Sequence, residues 1–73
     1  MGTISINNET AGVIHVRVTD TGSGTQLFVD VNAGAVESWT RDYWEVATIL
    51  RDDTGATVEF VVKPDQPLAY VVS

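Results

Sequence analysis

The sequence predicts an all-β fold, a small antiparallel β-sandwich or barrel of about six to seven short strands with no substantial helix. Three observations predict it. Apolar and polar residues alternate with a period of two along most of the chain, and no window carries the period of an amphipathic helix. Turn-forming clusters recur at intervals of about ten residues, the spacing of short strands in a sandwich or barrel. The connections are short, which favours antiparallel neighbours, because a parallel crossover needs a longer link.

Each element has its own justification. Ile4 and Ile6 alternate with Thr3, Ser5 and Asn7 and give a first strand. The run Asn7-Asn8-Glu9-Thr10-Ala11-Gly12 is turn chemistry. Ile14, Val16 and Val18 alternate with His15, Arg17 and Thr19, a second strand with one wet face. His15 stands on that wet face and reads as a solvated strand residue, with pH sensing or ligand binding as the other reading. Asp20 to Thr25 holds two glycines and no apolar anchor, and is expected to be the most flexible loop. Leu27, Val29 and Val31 mark a third strand, and Asn32-Ala33-Gly34 turns the chain.

Strand four is expected from about Ala35 to Thr40 and strand five from about Tyr43 to Arg51, joined by a tight turn at Arg41–Asp42. Asp52-Asp53-Thr54-Gly55 reads as a short hairpin loop in which glycine supplies a positive φ. Val58, Phe60 and Val62 give strand six. Pro64-Asp65-Gln66-Pro67 ends it, since proline cannot donate to a ladder. Leu68, Tyr70 and Val72 make a final strand.

The stretch from Ala35 to Asp52 holds both tryptophans and is the expected centre of the core. Parity assigns the faces, because residues two apart share one. Trp44 falls with Val46, Thr48 and Leu50 and is expected inside, with an acceptor for its indole N–H. Trp39 falls between Glu37 and Arg41. Either it closes one end of the core with the two charges beside it, or it is a partly exposed platform, flanked by charges, for a ligand or partner. Phe28, between Gln26 and Asp30, and Val61, between Glu59 and Lys63, also sit on nominally wet faces. Together they point to a second buried surface, which in so small a chain is best supplied by another subunit.

Composition narrows the function. A chain of 73 residues is one domain, residues 1–73, and buries only roughly 60–65% of its unfolded surface. It has no cysteine and one histidine, so disulfides and Cys/His zinc sites are excluded. No metal or other cofactor is expected; Asp52-Asp53 lacks the oxygen-rich spacing of a calcium loop. The formal net charge of −6 and four scattered basic residues disfavour nucleic acid and anionic membrane surfaces as partners. No apolar run is long enough to insert in a membrane as a helix, and the first ten residues lack a secretory pattern, so a cytoplasmic location is expected. With no nucleophile elbow, no cysteine nucleophile and no phosphate loop, the chain is expected not to be an enzyme.

Two segments carry a resemblance. Ser5-Ile6-Asn7-Asn8-Glu9-Thr10 followed by Ile14 to Thr19 is one; Gly34 to Arg41 followed by Trp44-Glu45 is the other. Together they resemble small, single-domain, cysteine-poor β-proteins of mushroom-forming fungi, across nearly the whole chain. The resemblance implies no catalytic residue; cytosolic fungal proteins of this size are often lectins or defence proteins. The leading expectation is a non-enzymatic, lectin-like, carbohydrate-binding module acting as a homo-oligomer. An indole stacks on the apolar face of a sugar while carboxylates and guanidinium groups bind its hydroxyls. Trp39, Arg41, Tyr43 and Glu37 are the expected glycan-binding residues, with Asp42 as an acceptor. The alternative is a structural or interaction protein whose outward aromatics form the interface between copies.

Overall fold

A computed structural model describes residues 2–21 and 26–73. Seven strands form: β1 (Gly2–Asn8), β2 (Ile14–Val18), β3 (Val29–Val31), β4 (Val36–Arg41), β5 (Glu45–Arg51), β6 (Thr57–Val62) and β7 (Tyr70–Val72). They make a three-stranded sheet in the order β4-β1-β7 and a four-stranded sheet in the order β3-β2-β5-β6. All pairs are antiparallel except β1 with β7. No helix is present among the described residues. The expected flexible loop lies partly outside the described residues, from Gly22 to Thr25.

The core lies between the two sheets. Ile4, Ile6 and Val72 come from the three-stranded sheet; Ile14, Val16, Val18, Val31, Ala47, Ile49 and Val62 come from the other. The two-residue rhythm is the cause, since each strand sends alternate side chains to this one layer. Each fully buried Ile or Val contributes about 1.5–3 kcal/mol relative to exposure.

Two polar ties hold the sheets together at opposite ends of β1 and β4. At one end Asn8, fully buried, donates from Nδ2 to Gly12 O at 2.8 Å and to Val31 O at 2.9 Å. Its Oδ1 accepts from Thr10 N at 2.9 Å and from Thr10 Oγ1 at 2.7 Å. Val31 belongs to the opposite sheet, so one amide spans the gap. At the other end Arg41 reaches from β4 to the end of β2, donating to Thr19 O at 2.9 Å and to Val18 O at 3.1 Å.

Loop chemistry matches expectation where backbone sterics dictate it. Gly55 closes the β5–β6 hairpin at φ 71°. Gly2 meets the 64–65 corner so closely that a Cβ there would lie 2.6 Å from Pro64 Cβ. The Thr3 carbonyl accepts from Asp65 N at 2.9 Å in the same corner.

The structure corrects three expectations. Strands four and five are not a hairpin: β4 pairs with β1, β5 pairs with β2 and β6, and the segment at Asp42–Trp44 crosses from one sheet to the other. Trp44 is not core; it precedes β5 and is 65% exposed. The inward set on β5 is Glu45, Ala47 and Ile49 instead. The partners decide this register. Val16 stands opposite Ile49, and Phe60 opposite Ala47, so cross-strand packing outweighs the greater apolarity of the other set. Leu27 and Leu68 fall outside the short strands β3 and β7 and are exposed.

Candidate functional site

The five residues expected to bind a glycan are divided between β4 and the crossing that follows it. Glu37, Trp39 and Arg41 share the face of β4 that carries Ile4 and Ile6 opposite them, the inner face of the three-stranded sheet. Trp39 is partly buried and packs against the core. Glu37, at the other end of the strand, is exposed. The Arg41 side chain is only 12% exposed and is committed to backbone carbonyls and to Gln26. Tyr43 and Asp42 are exposed in the crossing between the sheets.

Arg41 lies beside a second buried polar group. Glu45 is 4% exposed, yet it faces the core layer. Its carboxylate accepts from Thr19 Oγ1 at 2.7 Å, Thr21 N at 3.0 Å and Thr21 Oγ1 at 3.2 Å. Burial pushes its pKa up, but those three donors and the nearby Arg41 guanidinium outweigh burial and hold it below the ordinary glutamate value. Glu45 is therefore a structural anion held by three donors, although it lines a depression of about 300 Å³.

A different surface gathers the unexplained groups. The outer face of the four-stranded sheet is a grid set by the register. Across one row stand Arg17 on β2, Thr48 on β5 and Glu59 on β6. Val46 faces Val61 in the next row, and Trp44 continues the β5 line beside Lys63. Phe28 lies under the Arg17 guanidinium at 4.9 Å, and the Lys63 amine sits 4.2 Å from the Trp44 ring centroid. Trp44 at 65%, Val61 at 54%, Phe28 and Val46 are all exposed. Arg17 makes no ion pair among the described residues, and its buried Nε has no hydrogen-bond partner there. The outer face of the other sheet differs in kind. Thr3 and Ser5 stand opposite Thr40 and Ser38, with Ser5 Oγ 2.9 Å from Ser38 Oγ; Val36 and Val71 are exposed toward one end, and Leu68 is exposed beside a depression it lines with Thr3 and Ser5.

His15 occupies the corner of the apolar face. Asp30 Oδ1 lies 2.6 Å from Nδ1 and Asp52 Oδ1 lies 2.9 Å from Nε2. Both ring nitrogens therefore donate when the ring is charged. The bonds to Asp30 and then Asp52 raise its pKa above the ordinary value. A raised folded pKa gives stability that is full below the unfolded value of about 6.5 and is lost as pH rises through the folded one. We expect an NMR titration to place the His15 midpoint above 6.5, and Asp30→Asn with Asp52→Asn to return it. An unshifted midpoint in the unaltered chain would contradict the clamp.

A further concavity is present. An open groove of about 450 Å³ runs between the free edges of β6 and β7, lined by Val58, Phe60, Tyr70 and Val71 among others. The phenol of Tyr70 accepts from Lys63 N at 2.8 Å and its ring meets Phe60 at 5.8 Å, so both aromatics there close the sandwich edge. No group of three or more His, Asp or Glu suited to a metal ion occurs among the described residues. Among the described residues no helix is long and apolar enough to cross a membrane. Comparison with protein families, curated proteins and solved structures finds no match to this chain.

Proposed function

We propose that the chain is a non-enzymatic interaction module that works as a homo-oligomer, with the outer face of the four-stranded sheet as its contact surface. One observation carries this reading: Trp44, Val46, Val61 and Phe28 lie exposed together on that face, while hydroxyls line much of the opposite one. Exposed aromatic and aliphatic groups grouped on a sheet mark contact surfaces more than scattered ones do. The face measures roughly 20 by 20 Å from strand spacing and rise, about half the standard patch per partner, so association is expected to be weak and concentration-dependent. The sequence supports a non-catalytic role, and the one histidine has both ring nitrogens engaged by carboxylates. A cysteine-free chain of this charge supports a cytoplasmic setting within the same proposal.

Trp44→Ala tests it. The variant is expected to weaken self-association at least tenfold by light scattering while its urea midpoint stays unchanged, because the indole is outside the core. An unchanged subunit count would overturn the reading.

A lectin-like, carbohydrate-binding role is the second reading, favoured by the adjacent exposed rings of Tyr43 and Trp44 next to Asp42. There Trp44→Ala abolishes glycan binding and leaves the mass unchanged. A glycan array with folded protein and no bound glycan removes that reading.

A further inference from the structure

We infer that the copies meet face to face about a two-fold axis running along β5, which sets Arg17 of each copy against Glu59 of the other. This rests on the self-association through the outer face proposed above, and it names the partner as a second copy in one defined orientation.

The register supplies the argument. Arg17 and Glu59 flank Thr48 in one row, one strand to either side of β5. Two strand spacings separate their backbones, about 9.5 Å. Within the chain they form no salt bridge; Glu59 Oε2 accepts from Thr48 Oγ1 at 2.8 Å, and Arg17 has no ion-pair partner among the described residues. The row therefore carries a cation and an anion equally far from its centre.

A face-to-face pair has two simple choices of in-plane axis. An axis across the strands lays Arg17 on Arg17 and Glu59 on Glu59, which is repulsive twice. An axis along β5 exchanges the two sides, so each guanidinium meets the other copy's carboxylate, and charge complementarity is satisfied twice. The same axis brings Trp44 and Val46, both on the β5 line, against their own counterparts at the centre, with the charges flanking them. The strands then run nearly aligned between copies, as in an aligned sandwich. Carboxylates keep several acceptor sites, so the Thr48 bond persists.

Charge reversal tests the orientation by sedimentation equilibrium. Arg17→Glu and Glu59→Arg are each expected to weaken the homodimer by about a hundredfold, since each places like charges together at two positions. An equimolar mixture of the two variants is expected to regain association within about threefold of the unaltered chain, because both pairs re-form between unlike copies. Should either reversal unfold the chain by circular dichroism, the neutral pair Arg17→Gln and Glu59→Gln replaces it, with a coupling above about threefold expected in a double-mutant cycle. Undiminished association of the single variants, a mixture that stays monomeric, or no coupling would overturn the axis while leaving the contact face in place. An unaltered chain that remains monomeric at all concentrations would instead overturn the contact face itself.

Discussion

Asn8→Ala is expected to lower the unfolding free energy by about 3–4 kcal/mol, a large share of the roughly 4–11 kcal/mol a domain of this length has. The side chain is fully buried and uses both ends of its amide. Its removal leaves the Val31 carbonyl without that donor and Thr10 N without that acceptor in a site closed to water. An unmade buried hydrogen bond costs about 1–3 kcal/mol per group, and this change unmakes several. It also severs a link between sheets, since Asn8 is on β1 and Val31 on β3. Asn8→Asp keeps the acceptor and loses both donors, and is expected to be as damaging. Urea denaturation is the check. Asn7→Ala, one residue earlier on the outward side, is the control and is expected to cost under about 0.5 kcal/mol. Equal midpoints for the two variants would contradict the assignment.

Arg41→Ala carries the second large effect, an expected loss of about 2–3 kcal/mol. The guanidinium donates to Thr19 O, Val18 O, Thr40 O and Gln26 Oε1. Truncation removes these donors and takes a nearby positive charge from buried Glu45. Arg41→Lys is expected to recover less than half, because an ammonium cannot reproduce donors spread over a planar fork. The Glu45 effect adds a pH signature. Its depressed pKa gives stability present above the ordinary value and lost as pH falls through the folded one, so Arg41→Ala moves the acid-unfolding midpoint upward. A folded, equally stable Arg41→Ala protein that no longer binds a glycan would instead support the ligand role expected from the sequence.

The fold class was legible because period-two alternation has only one physical meaning over so many short segments. Strand β2, the turn at Gly55 and the break at Pro64 follow from local sterics and were legible for the same reason. Strand β5 was harder. Both its faces hold apolar residues, so parity gives two sets and cannot choose between them. The larger set, with Trp44 and Val46, is on the outside because β2 aligns its buried Val16 and Val18 with Ile49 and Ala47, and β6 sets the partly buried Phe60 opposite Ala47. Pairing β4 with β5 failed for a related reason: a short link allows a hairpin but also allows a step between sheets, and the residues at 41–45 carry no signal that separates them.

The site was less legible than the fold. Arg41 looked like a surface group for ligands; only the fold shows the carbonyls it reaches across the sandwich. Asn8 looked like one of several turn residues, and nothing local marks it as the buried one. The aspartates flanking His15 come from 15 and 37 residues away, so no local pattern announces the clamp. Phe28 and Val61 were legible as apolar residues between polar neighbours on a strand, and both are exposed on the outer face of the four-stranded sheet.

Sedimentation equilibrium of the unaltered chain, from micromolar to millimolar, decides whether the outer face of the four-stranded sheet joins two copies. The mass is expected to rise from 7.9 kDa toward twice that value as concentration increases. A mass of 7.9 kDa held throughout, with the protein folded, would contradict it.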